Sequence, residues 1–244
     1  MKAGKLTKKE KAALILDFFH RTMMHHAIWF AEVQKHLGTE KAYKAMDAAW
    51  QKSYGIQMKR LGNILGFENE EGIPAPMLEL QDDKLDELLE GASVNWLAND
   101  GVWFQAVEFE YGMKDAKHCN DSAWEQFSPL EAWSIKRMLG MPEQAGLEGL
   151  RRALQFRLYA FINKQSFVEE TETSFVFRMN ECRVQLARKR KGLDDYPCKS
   201  GGMVEYTTFA RAIDSRIRTE CISCPPDPHP EEYFCAWKFS IQTK

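Results

Sequence analysis

A gapless internal repeat limits what this chain can fold into more than any other feature. The segment HHAIWFAEVQKHLGTEKAYKAMDAAW (25–50) aligns with NDGVWFQAVEFEYGMKDAKHCNDSAW (99–124) at eight of 26 positions, where unrelated segments share about two. The shared pairs are Trp29/Trp103, Phe30/Phe104, Val33/Val107, Gly38/Gly112, Ala42/Ala116, Asp47/Asp121, Ala49/Ala123 and Trp50/Trp124. Apolar residues recur at helical spacing on both sides of the common glycine, so each copy reads as a helix–turn–helix. The copies extend over roughly residues 10–65 and 85–141, as the periodic pattern sets them. One copy alone leaves an apolar face open, and a pseudo-symmetric pair can bury it.

Capping signals frame the helices. Thr7 and Glu10 form a capping box, Thr39 stands as the N-cap of a second helix, and Ser128-Pro129 with Glu131 reads as a helix start that Gly140 and Pro142 close. Residues 146–162 carry Leu147, Leu150, Leu154, Leu158 and Phe161 on one stripe. Beyond residue 163 the period drops to two. Phe175, Phe177 and Met179 alternate with Val176 and Arg178, and Cys235, Trp237, Phe239 and Ile241 share one strand face. The expected fold is α+β: a helical domain over 1–163 containing the repeat, then a small antiparallel sheet with helices over 164–244.

The 33 basic and 35 acidic residues leave a formal charge of -2, which gives no electrostatic case for nucleic acid. The basic run RVQLARKRKG (183–192) reads as a solvated helix face. The first apolar run is short and broken by Asp17, so no secretory signal is expected, and no segment has the apolar length of a membrane helix. A cytoplasmic protein with reduced cysteines follows as the expectation.

Those cysteines concentrate near the end, in ECISCPPDPHPEEYFCAWKF (220–239). Cys221 and Cys224 have C-x2-C spacing, His229 follows after five residues and Cys235 after six more. Three thiolates and an imidazole satisfy tetrahedral zinc. With Cys198 or Cys182 as a further ligand, an iron–sulfur cluster is the other expectation. Buried, small hydrophobic cysteines and a reactive thiol remain open beside the metal. Pro225, Pro226, Pro228 and Pro230 stiffen the loop.

A second candidate lies in the repeat. His25 shares a helix face with Trp29, and His26 aligns with Asp100 of the other copy. If the copies pack about a pseudo-twofold axis, His26 and Asp100 form either a general base with its orienting acid or a buried polar pair that fixes register. Trp29 and Trp103 are candidate walls of a ligand pocket, with core anchoring as the alternative. Glu108, Glu110, Asp47 and Asp121 read chiefly as exposed or capping acids. The chain has no glycine-rich phosphate loop, G-x-S-x-G or H-E-x-x-H.

FHRTMMHHAIWFAEV, NWLANDGVWFQAVEF, RKGLDDYPCKSGG, EYTTFARAIDSRI and CPPDPHPEEYFCAW together resemble a family of uncharacterised prokaryotic cytosolic proteins, over nearly the whole chain. Residues 174–241 resemble more distantly the C-terminal part of L-2-amino-thiazoline-4-carboxylic acid hydrolases and the vinyl-reductase-like ligand-binding domains. The shared outline is a strand ending in Glu181-Cys182, a turn at Gly192-Leu193, D-x-R-I at Asp214–Ile217, and a closing strand bearing Cys235. The resemblance to the hydrolases implies opening of a small sulfur- and nitrogen-containing ring by water, with Cys182 and Cys235 as the matched positions. The insertion CISCPPDPHPEE departs from that pattern and points toward a metal.

The functional expectation is thus a zinc- or iron–sulfur-containing protein, a hydrolase of a small sulfur/nitrogen-containing or amide-like substrate in which His26 or His25 handles protons. The alternative is a module that binds a small ligand or senses redox state around a structural metal. A homo-oligomer through the tryptophan-rich helices is a third reading.

Overall fold

The computed structural model describes residues 6–192 and 194–242. Residues 1–5 at the start of the leader reading, and Leu193 of the Gly192-Leu193 turn, lie outside them. The fold is α+β, as the change of period predicts. Its chain contacts divide it into two units, one ending at Gln81 and one beginning at Asp82. The expected boundary at residue 163 falls inside the second unit, because the second repeat copy shares a core with the sheet.

The first unit is a helical hairpin, α1 (Lys8–Leu37) and α2 (Thr39–Leu65), followed by the two-stranded ribbon β1 (Asn69–Glu70) and β2 (Ile73–Pro74) and a single turn, α3 (Ala75–Leu78). Thr7 and Glu10 make the expected capping box. The N-cap of α2 is Gly38 rather than Thr39. At φ 85° the glycine turns the chain between two helices without a linker.

The second unit repeats this hairpin as α4 (Asp82–Tyr111) and α5 (Met113–Met138). The turn recurs at Gly112, with φ 93° and ψ 165° against 85° and 161° at Gly38. In both copies the glycine N–H bonds the carbonyl four residues back, Gln34 or Glu108, and Ala42 and Ala116 are each 1% exposed. The copies diverge in what covers them. Trp124 is 6% exposed beneath Trp96, Phe127 and Tyr159, whereas its counterpart Trp50 is 51% exposed. Trp29 and Trp103 are each 62% exposed.

Pro129 does not begin a helix. It sits inside α5, and the Ser128 side chain is buried. The helix continues because residues 124, 128, 131 and 135 form one buried stripe whose packing outweighs the lost proline donor.

After α6 (Gly146–Leu154) and a 3-10 turn (Leu158–Phe161), the chain enters the sheet. Strands β3 (Lys164–Val168), β4 (Ser174–Glu181), β5 (Arg218–Ser223) and β6 (Cys235–Ser240) are all antiparallel, in the order β3-β4-β6-β5. Helix α7 (Arg183–Arg190) follows β4, and α8 (Lys199–Ile213) lies between α5 and the sheet. Phe175, Phe177, Trp237 and Phe239 form the sheet's share of the core.

α8 runs alongside α5 in the same direction. Near its start a Cβ on Gly201 would stand 3.2 Å from Asp121 Oδ1 of α5. At its end Lys136 Nζ of α5 donates to the carbonyls of Ala212 (3.2 Å) and Ile213 (2.9 Å), which would otherwise lack partners. Asp214 fastens the exit by accepting from Gly146 N and from Arg216, and these bonds, Arg216 first, hold its carboxyl down at about 2. The D-x-R-I outline is therefore a structural clasp.

The opposite face of α8 is tighter. A Cβ on Gly202 would stand 2.7 Å from the Trp237 ring. Gly202→Ala is expected to cost about 1–3 kcal/mol by overpacking, while Gly101→Ala, with nothing within 4 Å, should gain about 0.5–1 kcal/mol. Denaturant unfolding of the two variants checks the contrast. Asp214→Asn should lower stability at pH 7, with the deficit shrinking as pH falls below about 4 toward 2, because the carboxylate's advantage is present above its unfolded pKa and is lost as the folded group takes its proton.

Candidate functional site

The chemistry-bearing side chains of the second unit converge on the first half of α8. Three charges meet there, Glu131 and Glu205 from the buried faces of α5 and α8 and Arg157 from the extended residue before the 3-10 turn. Arg157 donates from Nε to Glu131 Oε2 (2.8 Å) and from Nη1 to Glu205 Oε1 (2.6 Å). Glu131 also accepts from Leu158 N at 3.0 Å. Arg157 is 2% exposed and lies over the ring of Phe209, with Tyr159 and Tyr206 beside it. Burial opposes its charge, but the two carboxylates outweigh burial and raise its pKa.

Glu205 takes the other side of that balance. Burial pushes it up to about 6, against the pull of Arg157. Burial also raises Tyr206 and Tyr159 well above the usual phenol range. Arg157 Nη2 and Trp237 Nε1 are buried without a hydrogen-bond partner among the described residues. A buried polar atom left so costs about 1–3 kcal/mol.

The thiols lie next to this network. Cys182 is the N-cap of α7 and Cys198 the N-cap of α8. A helix start favours a thiolate, but burial wins at both. It lifts Cys182 to about 11 and Cys198 well above the usual thiol range. Cys182 is within electrostatic range of Cys235 and Glu205, and Cys198 of Cys182, Cys235 and Glu205. The adjacent Cys235 thiol, with burial, keeps the Cys224 proton on. Buried Gln185 adds a donor, with its Nε2 3.3 Å from Cys198 Sγ and 2.9 Å from the Tyr196 carbonyl.

A β-bulge explains how the C-x2-C pair joins this group. In a regular strand residues three apart face opposite ways. Here Cys221 pairs with Trp237 while Ser223 pairs with Ala236, so Ile222 is the extra residue. The bulge turns both Cys221 and Cys224 toward the α8 side of the sheet, and Ile222 is left 46% exposed.

His229 stands apart. Its Nε2 meets Asp195 Oδ2 at 2.9 Å and its Nδ1 meets the Pro230 carbonyl at 2.8 Å. Burial works against its charged form, but these acceptors prevail and raise its pKa. Neither ring nitrogen is free to face a thiol. Among the described residues no three His, Cys, Asp or Glu side chains surround a point closely enough to hold an ion.

The remaining candidates do not come together within a unit. His25 and His26 are exposed on α1, with His25 edge-on to Trp29. Asp100 is on α4 in the second unit, half-buried, where it accepts from Asn120 at 3.4 Å and burial raises its pKa. Trp29 and Trp103 likewise belong to different units.

Sequence reading missed Arg157, Glu131, Glu205 and Gln185. The signal was present. Glu205 is four residues before Phe209 and eight before Ile213, Arg157 is three after Leu154, and Glu131 is four before Ile135. A charge set into an apolar stripe marks a buried, paired group.

No helix of the described residues is long and apolar enough to cross a membrane. No curated protein and no solved structure gives a significant match. A family profile does match, in two segments, residues 4–81 and 78–241. That match spans nearly the whole chain and meets close to the division between the two units: the chain belongs to the family of unknown function DUF6125.

Proposed function

We propose that the second unit binds a small sulfur- or nitrogen-containing molecule beside the start of α8, with thiols as soft contacts and Glu205 as the group that exchanges a proton. The carrying observation is that Cys182 and Cys198 lie within electrostatic range of one buried carboxylate with a pKa of about 6, and that Cys235 and Cys224, from other stretches of chain, lie within range of those thiols in turn. Cys182, Cys198 and Cys235 keep part of their surface exposed, while Cys224 is sealed. An open groove of about 400 Å³, lined by Asn163, Lys164, Glu181 and Arg183, flanks Cys182, a size suited to a small ligand.

A carboxyl titrating near 6 is ionised at neutral pH and sits close to the range that serves proton transfer best. Arg157 holds it in place through Nη1. This is the minimum equipment for hydrolysis of a small heterocyclic or amide-like bond, the activity that the hydrolase resemblance implies.

A second reading is a bound zinc ion or iron–sulfur cluster. The observation that favours it is the Gln185 amide on Cys198 Sγ, together with the Val184 and Gln185 backbone amides that favour a charged Cys182. Donors of this kind support metal-bound thiolates. The ligands would be Cys182, Cys198, Cys224 and Cys235, which must rotate to meet one ion, while Cys221 and His229 serve the fold.

Elemental analysis and visible absorbance of protein purified without air separate the readings. Less than about 0.1 equivalent of zinc or iron favours the small-molecule reading, and about one equivalent, lost in Cys198→Ser, replaces it with the metal. With 2-amino-thiazoline-4-carboxylate as probe, thermal stabilisation is expected in the parent and in Cys221→Ser but not in Cys198→Ser. Stabilisation that survives in Cys198→Ser would place binding elsewhere.

Glu205 also makes a pH prediction. Its folded pKa lies above that of a free carboxyl, so its proton favours folding. That contribution, about 2 kcal/mol, is complete below about pH 4.5 and is lost as pH rises through about 6. Unfolding curves from pH 4.5 to 6.5 should show this slope in the parent protein and a flatter one in Glu205→Gln. Parallel curves would contradict the assignment.

A further inference from the structure

We infer that Cys224 and Cys235 are a redox-active dithiol that closes into an intrachain disulfide, with Cys235 as the thiol that attacks the oxidant and Cys224 as the resolving one. This inference stands independently of what the neighbouring recess binds. It rests first on register. Ser223 and Ala236 are the last pair of the β5–β6 ladder, so the adjoining positions, Cys224 just past β5 and Cys235 at the start of β6, are neighbours across it. Directly opposed residues have Cα atoms about 4.5–5.5 Å apart, within the range of about 4.4–6.8 Å that a disulfide spans.

The side chains agree with the backbone. The bulge at Ile222 turns Cys224 to the same face as Cys235, and the Cys235 thiol is the largest single influence on the Cys224 proton. Without the bulge Cys224 would face away, and a C-x2-C pair on this strand could not present both its thiols to β6. Access separates the roles. Cys224 is 1% exposed, while Cys235 keeps an intermediate exposure and can meet a small oxidant. Cys221 lies opposite Trp237 rather than another thiol. The loop 225–234 joins the pair, so closing the bond asks for no movement of distant elements.

The oxidant is a hydroperoxide. Cys235 sulfur attacks one peroxide oxygen, the O–O bond breaks, and the other oxygen leaves with a proton as water or alcohol. Cys235 is then a sulfenic acid. Cys224 sulfur attacks it, the S–O bond breaks, and the hydroxyl departs as water with the Cys224 proton. Two thiols lose two electrons and two protons, and one peroxide is reduced.

The test uses the full chain and dilute hydrogen peroxide, followed by alkylation of remaining thiols and mass analysis of the tryptic peptide 219–238, which carries Cys221, Cys224 and Cys235. The expected product is about 2 Da lighter than the dithiol peptide, with Cys224 and Cys235 joined and Cys221 alkylated. Cys221→Ser should oxidise at an unchanged rate. Cys224→Ser should accumulate sulfenic or sulfinic acid at Cys235. A bond between Cys221 and Cys224, or over-oxidation of Cys235 in the parent with no disulfide, overturns the inference. The parent and Cys221→Ser measurements decide the matter even where Cys224→Ser fails to fold.

Discussion

The buried guanidinium of Arg157 is the constraint on which the second unit depends. A charge removed from water is tolerable only when paired and hydrogen-bonded. Arg157 reaches that state by drawing Glu131 from α5 and Glu205 from α8 to one point between the 3-10 turn and the helices. The same placement brings Tyr159 and Tyr206 against the guanidinium and leaves Glu205 among the thiols. Removing one partner of such a set strands a buried charge, typically at about 3–5 kcal/mol. Structure and candidate chemistry are therefore joined in the same three residues.

A second constraint sets where the sulfur goes. α8 can lie close to the sheet only because Gly202 offers no side chain to Trp237. Its N-cap thiol, Cys198, is thereby carried to the end of the sheet where β5 and β6 present Cys224 and Cys235. The one-residue bulge in β5 then decides which thiols face inward. Without it, half of the C-x2-C pair would point to the other side of the sheet. The spacing that resembles a chelating turn is here a strand with an extra residue.

Much of the fold was legible because its signals are local or periodic. The repeat gave two hairpins, and Gly38 and Gly112 carry the same turn in each. The inward face of β6 followed from Cys235, Trp237 and Phe239 alternating with exposed Lys238. What the sequence could not show depends on contacts between distant segments. Pro129 has every local mark of a helix start, yet the stripe through Trp124, Ser128, Glu131 and Ile135 carries α5 across it. Trp50 and Trp124 match in sequence but differ in cover, since only the second has Trp96 and Tyr159 above it. His229 has ligand spacing, but Asp195, 34 residues earlier, takes its imidazole. Glu205 gives no local sign of its role, because its partner Arg157 is 48 residues away.

The central claim is that Cys182, Cys198, Cys224 and Cys235 form one thiol group at the start of α8, with Cys221 at its edge opposite Trp237 and Cys119 apart. Titration of the native, reduced chain with a monosubstituted trivalent arsenical, which bridges two adjacent thiols, tests it directly when read by intact mass and peptide mapping. One arsenical should be retained per chain, bridging two of those four cysteines, with Cys119 and Cys221 left open to alkylation. No retained arsenical, or a bridge that includes Cys119, would contradict the account.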